Sequence, residues 1–221
     1  MIALAPFSPL VHVSHQPRGS SCLAGADVNG LLKDPIQHRL SKEQRAWQGY
    51  QLGEVLRFGH AQNNDVRKYG VMKIEDEMQT RSGFYIGTRP EYQRISVMVQ
   101  RTDSVTTPQE VLELALSEYP TEEGALRAIA EWESFYFARL PIDDVNKGTP
   151  IDTSQYQYPG TRLLLGATFG SVTYSTVIQA DNRSMPGAAL LSRNTRQLYY
   201  ARGQGVVASK ETGSGLWYRL P

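Results

Sequence analysis

The sequence predicts an α+β protein with an irregular N-terminal arm, a mixed α/β middle that includes an αα-hairpin, and a C-terminal antiparallel β-meander or small barrel. Three observations carry that reading. Residues 1–40 hold neither the 3.6-residue period of a helix nor the two-residue period of a strand. Two stretches between Thr107 and Leu140 are rich in Ala, Leu and Glu and open on capping residues. Beyond Gly160, short apolar runs alternate with clusters of turn residues. A composition of 40% hydrophobic and 20% charged residues is that of an ordinary globular chain.

The arm, residues 1–40, is broken by Pro6, Pro9, Pro17 and Pro35 and loosened by Gly19, Gly25 and Gly30. Its apolar residues Phe7, Leu10, Val11 and Val13 are expected to lie against another surface, and they are the candidate subunit contacts. His12, His15, Cys22 and His38 are residue types that zinc takes. Their spacing, His-x2-His-x6-Cys-x15-His, lacks the tight ligand pairs of a structural site, so no metal is expected. "MIALAPFSPL" has no positively charged segment ahead of its apolar run, and no signal peptide is expected. A single cysteine excludes an internal disulfide framework and makes a reducing, cytoplasmic or otherwise intracellular setting the default. No apolar run is long enough to span a membrane as a helix.

A mixed helix/strand region is expected over residues 41–145. "SKEQRAWQGYQLGEVLRFG" reads as a helix: Ser41 caps it with Gln44 at the third position, Gly59 ends it, and Trp47, Tyr50, Val55 and Phe58 share a face. "GFYIG" and "RISVMVQR" read as strands, the second placing Ile95, Val97 and Val99 on one side. "TPQEVLELALSEY" has Thr107, Pro108 and Glu110 in capping positions, and "TEEGALRAIAEWESFYFARL" restarts after Pro120. So short a break between two helices makes the hairpin.

A linker is expected at 146–160 and an antiparallel β region at 161–221. The strands there are "RLLLGATF", "SVTYSTVIQ", "GAALLSR", "RQLYYAR", "GVVAS" and "GLWYRL", separated by clusters such as Gly170-Ser171 and Gly203-Gln204-Gly205. Charge is uneven along the chain. Acids dominate between Thr107 and Asp144, whereas Arg162, Arg183, Arg193, Arg196, Arg202, Lys210 and Arg219 outnumber the acids that follow Thr161. The two regions can mate within one chain or between copies.

Catalytic motifs are scarce. His60 with Asp65 offers a possible base, and Asp143-Asp144 with Asp152, or Glu75-Asp76-Glu77, offer oxygen ligands without the regular spacing of a calcium loop. There is no G-x-S-x-G elbow, no S-x-x-K and no cysteine signature, and "GQGVVAS" lacks the third glycine and the helix of a dinucleotide loop. A hydrolase with dispersed residues is one alternative. Another is nucleic-acid binding by "RNTRQLYYARGQG", where Arg193, Arg196 and Arg202 interleave with Tyr199 and Tyr200 and can combine phosphate contacts with base stacking. The net charge of +1 gives such binding no global attraction. The leading expectation is a non-enzymatic structural or assembly protein without cofactors, such as a virion or tail component, whose arm docks on a neighbouring subunit.

Overall fold

A computed structural model of the chain describes residues 35–80, 90–117, 125–133, 135–152, 160–181 and 195–221. It overturns the α+β expectation: among the described residues 61% are strand and 7% helix, and the strands form a curled antiparallel half-barrel. The strands are β1 (Gln37–His38), β2 (Val55–His60), β3 (Val66–Thr80), β4 (Glu91–Arg101), β5 (Gln109–Ser117), β6 (Ala125–Trp132), β7 (Phe135–Arg139), β8 (Arg162–Phe169), β9 (Val172–Asp181), β10 (Thr195–Ala201), β11 (Gly205–Glu211) and β12 (Gly215–Arg219). Among the described residues there are also two short helices, α1 (Lys42–Arg45) and α2 (Ile142–Lys147). Strand order is β7-β6-β5-β4-β3-β2-β12-β11-β10-β9-β8, with β1 attached in parallel to the end of β4.

The described residues form no αα-hairpin, because residues 109–117, 125–132 and 135–139 are strands β5, β6 and β7. Leu112, Leu114 and Leu116 are buried, as are Ala128, Ala130 and Trp132, while Glu113, Ala115, Ile129 and Glu131 between them are only partly covered. Leu112 lies opposite Ala130 and Leu114 opposite Ala128. That two-residue period decides the matter. Helix propensity distinguishes ordinary residues by at most about 0.7 kcal/mol each, whereas burying a leucine side chain contributes roughly 1.5–3 kcal/mol. The supposed caps Thr107 and Pro108 lie in the connection before β5.

The long helix expected over 41–59 is also corrected. Ser41 and Gln44 do form a reciprocal capping box, but α1 stops at Arg45. Gly49 follows, pressed so closely on the backbone of Gly203 and Gln204 that an added Cβ would collide with it. Residues 55–60 then enter the sheet as β2, paired with β3 on one side and β12 on the other. Of the strands expected after Gly160, five are present as β8 to β12. "GAALLSR", like "GFYIG" and the candidate contacts Phe7, Leu10, Val11 and Val13, lies outside the described residues.

The curl brings β10 against β6 and β7 across the inner face. One large cluster fills that face, with Leu56, Val97, Leu114, Trp132, Ile178 and Tyr200 among its members, and residues 40–50 plug it with Leu40, Trp47 and Tyr50. A second, smaller cluster lies within the C-terminal strands: Phe169, Tyr174, Val177 and Val207, flanked by Tyr199 and Tyr218. Gly170 (φ +59°), at the β8–β9 turn, sits directly on the Tyr218 ring, a position with no room for a side chain.

Candidate functional site

The inner face is committed to packing. The Tyr200 hydroxyl donates to the Trp47 carbonyl (2.9 Å), the Tyr50 hydroxyl accepts from the Val206 amide (2.8 Å), and the Trp47 indole donates to Asn146 Oδ1 (3.1 Å). Burial, aided by the neighbouring Tyr50, pushes the Tyr200 phenol well above its ordinary value, and burial does the same to Tyr50. Both therefore remain neutral donors and acceptors, and the expected stacking role of Tyr200 meets a side chain that is fully buried.

His60 is the last residue of β2 and not a residue beyond a helix. Its Nδ1 accepts from the Gln62 amide (3.3 Å), which leaves the proton on Nε2, and Nε2 donates to the Ser214 carbonyl. Both ring nitrogens are occupied, so the imidazole has no lone pair aimed at a substrate. Its link to Asp65 runs through the backbone, His60 amide to Asp65 carbonyl at 3.0 Å. Beside it the Ser214 hydroxyl donates to Glu211, Glu211 receives a two-pronged hydrogen bond from Arg67, and the Arg67 guanidinium lies 3.7 Å over the Trp217 ring. A serine, a histidine and a glutamate thus stand together without the geometry of a triad, because the serine hydroxyl is tied to the glutamate while the histidine meets only the serine's carbonyl. Burial alone would raise the Glu211 carboxyl, but Arg67 and Ser214 outweigh it and hold the carboxyl below the usual range.

The acidic groups are tied to neighbouring side chains. Asp76 accepts from Arg45 and Gln93, Glu75 from Lys73 and Ser96, and Glu77 pairs with Arg94. Arg94 also gathers Glu110 (2.7 Å) and Glu113 (3.1 Å) from β5. Asp143 accepts from Gln44 Nε2 (2.9 Å) in the first turn of α2, beside Asp144, and Asp152 is exposed. His38 stacks on Tyr92, ring centroids 4.8 Å apart, while His12, His15 and Cys22 lie outside the described residues. Among the described residues no group of three His, Cys, Asp or Glu side chains could hold a metal ion.

Of the Arg/Tyr recognition set, Arg193 lies outside the described residues. Arg196 is exposed and donates to Thr212 Oγ1 (2.8 Å). Tyr199 is half-buried on the face opposite Tyr200, packed edge-on against Phe169 at 4.8 Å and donating to Gln197 (2.9 Å). Burial, with Asp181 nearby, raises its phenol. The two tyrosines do not share a stacking platform, since adjacent residues of a strand point to opposite faces.

Arg202 is the exception. It stands in the β10–β11 turn with its amide tied to the Thr176 carbonyl (3.3 Å), and its guanidinium has no hydrogen bond or ion pair among the described residues. It lines two adjoining concavities. The larger, about 560 Å³, lies between the segment following α2 (Gly148–Ile151) and the start of β8. The smaller, about 300 Å³, runs along Thr173, Ser175 and Gln204, and Thr176 borders both. The sequence marks Arg202 as one arginine of the Arg/Tyr-rich stretch 193–205. Leu163, Leu165, Ile151 and Thr176 carry no signal at all, because the fold alone brings these distant positions together.

Comparison with known families, with curated proteins and with solved structures finds no match to this chain, so its function rests on the geometry above.

Proposed function

We propose that this chain is a non-enzymatic subunit of a multi-component assembly, held to its neighbours by an extended N-terminal arm and by an open sheet edge. The observation that carries this reading is β8. It ends the strand order, and among the described residues no strand pairs with its outer side. Between Arg162 and Phe169 it reads Leu-Leu-Leu-Gly-Ala-Thr, with no charge and no proline. Edge strands that stay solvated are normally protected by lysine, proline or brevity. An edge whose residues 163–168 carry no charge is suited to receive an added strand, in which backbone hydrogen bonds supply affinity and alternate side chains supply register. The partner strand in this reading is the arm of a neighbouring copy, whose Leu10, Val11 and Val13 provide the apolar side chains. Further support comes from the side chains with catalytic potential around His60, which are engaged by one another.

Light scattering on three proteins tests it: the full chain, a chain lacking residues 2–34, which keeps β1 and Leu40, and Thr168→Lys, which charges an exposed position on β8. The full chain is expected to associate at micromolar concentration, and both variants to be monomeric with unchanged circular dichroism. A full chain that is monomeric, or three proteins of equal association state, would overturn the reading.

A further inference from the structure

The pair of concavities at Arg202 borders β8 through Leu163 and Leu165 but would be filled by a ligand and not by an added strand, and its chemistry is divided. In the larger, Val145, Ile151, Leu163 and Leu165 contribute an apolar lining, and Leu165 is 78% exposed where Leu163 and Leu164 before it are partly covered. In the smaller, Thr173, Ser175, Thr176 and Gln204 supply hydroxyl and amide groups. Between them stands Arg202, whose backbone amide is held by the Thr176 carbonyl and whose side-chain donors are unused among the described residues. The other described arginines of the C-terminal strands are engaged: Arg162 on Gln179 (2.9 Å), Arg196 on Thr212, and Arg219 on Glu54 and the Gln204 carbonyl. Arg202 alone among these keeps its planar fork of donors open toward solvent.

We propose that this site binds a small amphipathic carboxylate, with the apolar body in the larger concavity and the carboxylate on Arg202. A volume of about 560 Å³ falls in the range of roughly 300–1,000 Å³ common to small-molecule sites. The guanidinium matches a carboxylate with two parallel hydrogen bonds, and Thr176 borders both concavities beside it. Covering Leu165 supplies the hydrophobic gain. Neither half of the site suffices alone, since an uncharged chain leaves Arg202 unused and a bare anion leaves the leucines wet.

Calorimetric titration of the full chain with sodium decanoate below its micelle concentration tests this, with decanol and sodium acetate as the two half-ligands. Saturable 1:1 binding of decanoate is expected, with decanol and acetate each at least about tenfold weaker. Arg202→Gln should weaken decanoate by about ten- to a hundredfold, the scale of hydrogen bonds to a charged group, and should leave decanol unchanged. Arg202→Lys should fall between, since the charge stays and the fork is lost. Leu165→Ser, which trims the apolar wall without charging β8, should weaken decanol. The proposal fails if decanoate shows no saturable binding, or if wild type and Arg202→Gln bind it equally.

Discussion

Arg67 is held from two directions: its Nη2 donates to Glu211 Oε2 at 3.1 Å with a parallel bond from Nη1, and its plane lies 3.7 Å over the Trp217 ring. The pair is largely shielded, with side-chain exposures of 17% and 16%, so it is far less screened than a surface ion pair. Burial would lower the arginine, but Glu211 outweighs it and raises it, while the same contact lowers Glu211. A carboxyl depressed by folding contributes stability that is present above its unfolded value and lost as pH falls through its folded value. Glu211→Gln leaves Arg67 without a counter-charge, and about 3 kcal/mol of stability should disappear at neutral pH. In urea titrations at successively lower pH, the gap between wild type and variant should close below the ordinary carboxylate range. A gap independent of pH would show that the loss comes from packing and not from the ion pair.

Strand β5 shows what the sequence reveals at the scale of an element. Read as a helix, Leu112 and Leu116 share a face and Leu114 points elsewhere; read as a strand, Leu112, Leu114 and Leu116 point the same way, and all three are buried. Leu114→Ala should therefore destabilise by about 2–5 kcal/mol, the cost of a cavity in a core, whereas Glu113→Ala, whose side chain meets Arg94 and Arg127 on the other face, should cost much less. Denaturant midpoints for the two variants make the comparison, and equal losses would contradict the strand register. The two-residue period was present in "VLELALS" all along, but strong helix formers and a plausible cap at Thr107 concealed it. Where local and long-range signals agree, the sequence is readable: the Ser41–Gln44 capping box and the turns around Gly170 and Gly203 involve only neighbouring residues. The site at Arg202 is half visible, because a charge can be seen in a sequence, but the apolar wall opposite it comes from residues up to about sixty positions away in the chain, on β8, on α2 and in the segment after α2.

At the scale of the whole described molecule, everything turns on β12. The chain's last strand is inserted between β2 and β11, so Trp217 lies opposite His60 and Arg219 opposite Phe58. Backbone bonds from Ala61 to Leu216 (2.9 Å) and from Leu220 to Arg57 (2.7 Å) extend the join at both ends, and Arg219 clamps Glu54. Without β12 the sheet would be two separate meanders, β2 to β7 and β8 to β11, each with a new open edge. With it, one inner cluster runs from Leu56 and Val97 on one side to Ile178 and Tyr200 on the other. Elements that share a core and a continuous ladder unfold together, so residues 35–221 should show one transition, with far-ultraviolet and near-ultraviolet circular dichroism giving the same midpoint in urea. Trp217→Ala removes a side chain only 6% exposed and the surface on which Arg67 rests, and should cost about 3–5 kcal/mol. If the join is the seam of a single cooperative unit, both probes shift by the same amount; if the two meanders are independently stable, the variant separates them into two transitions.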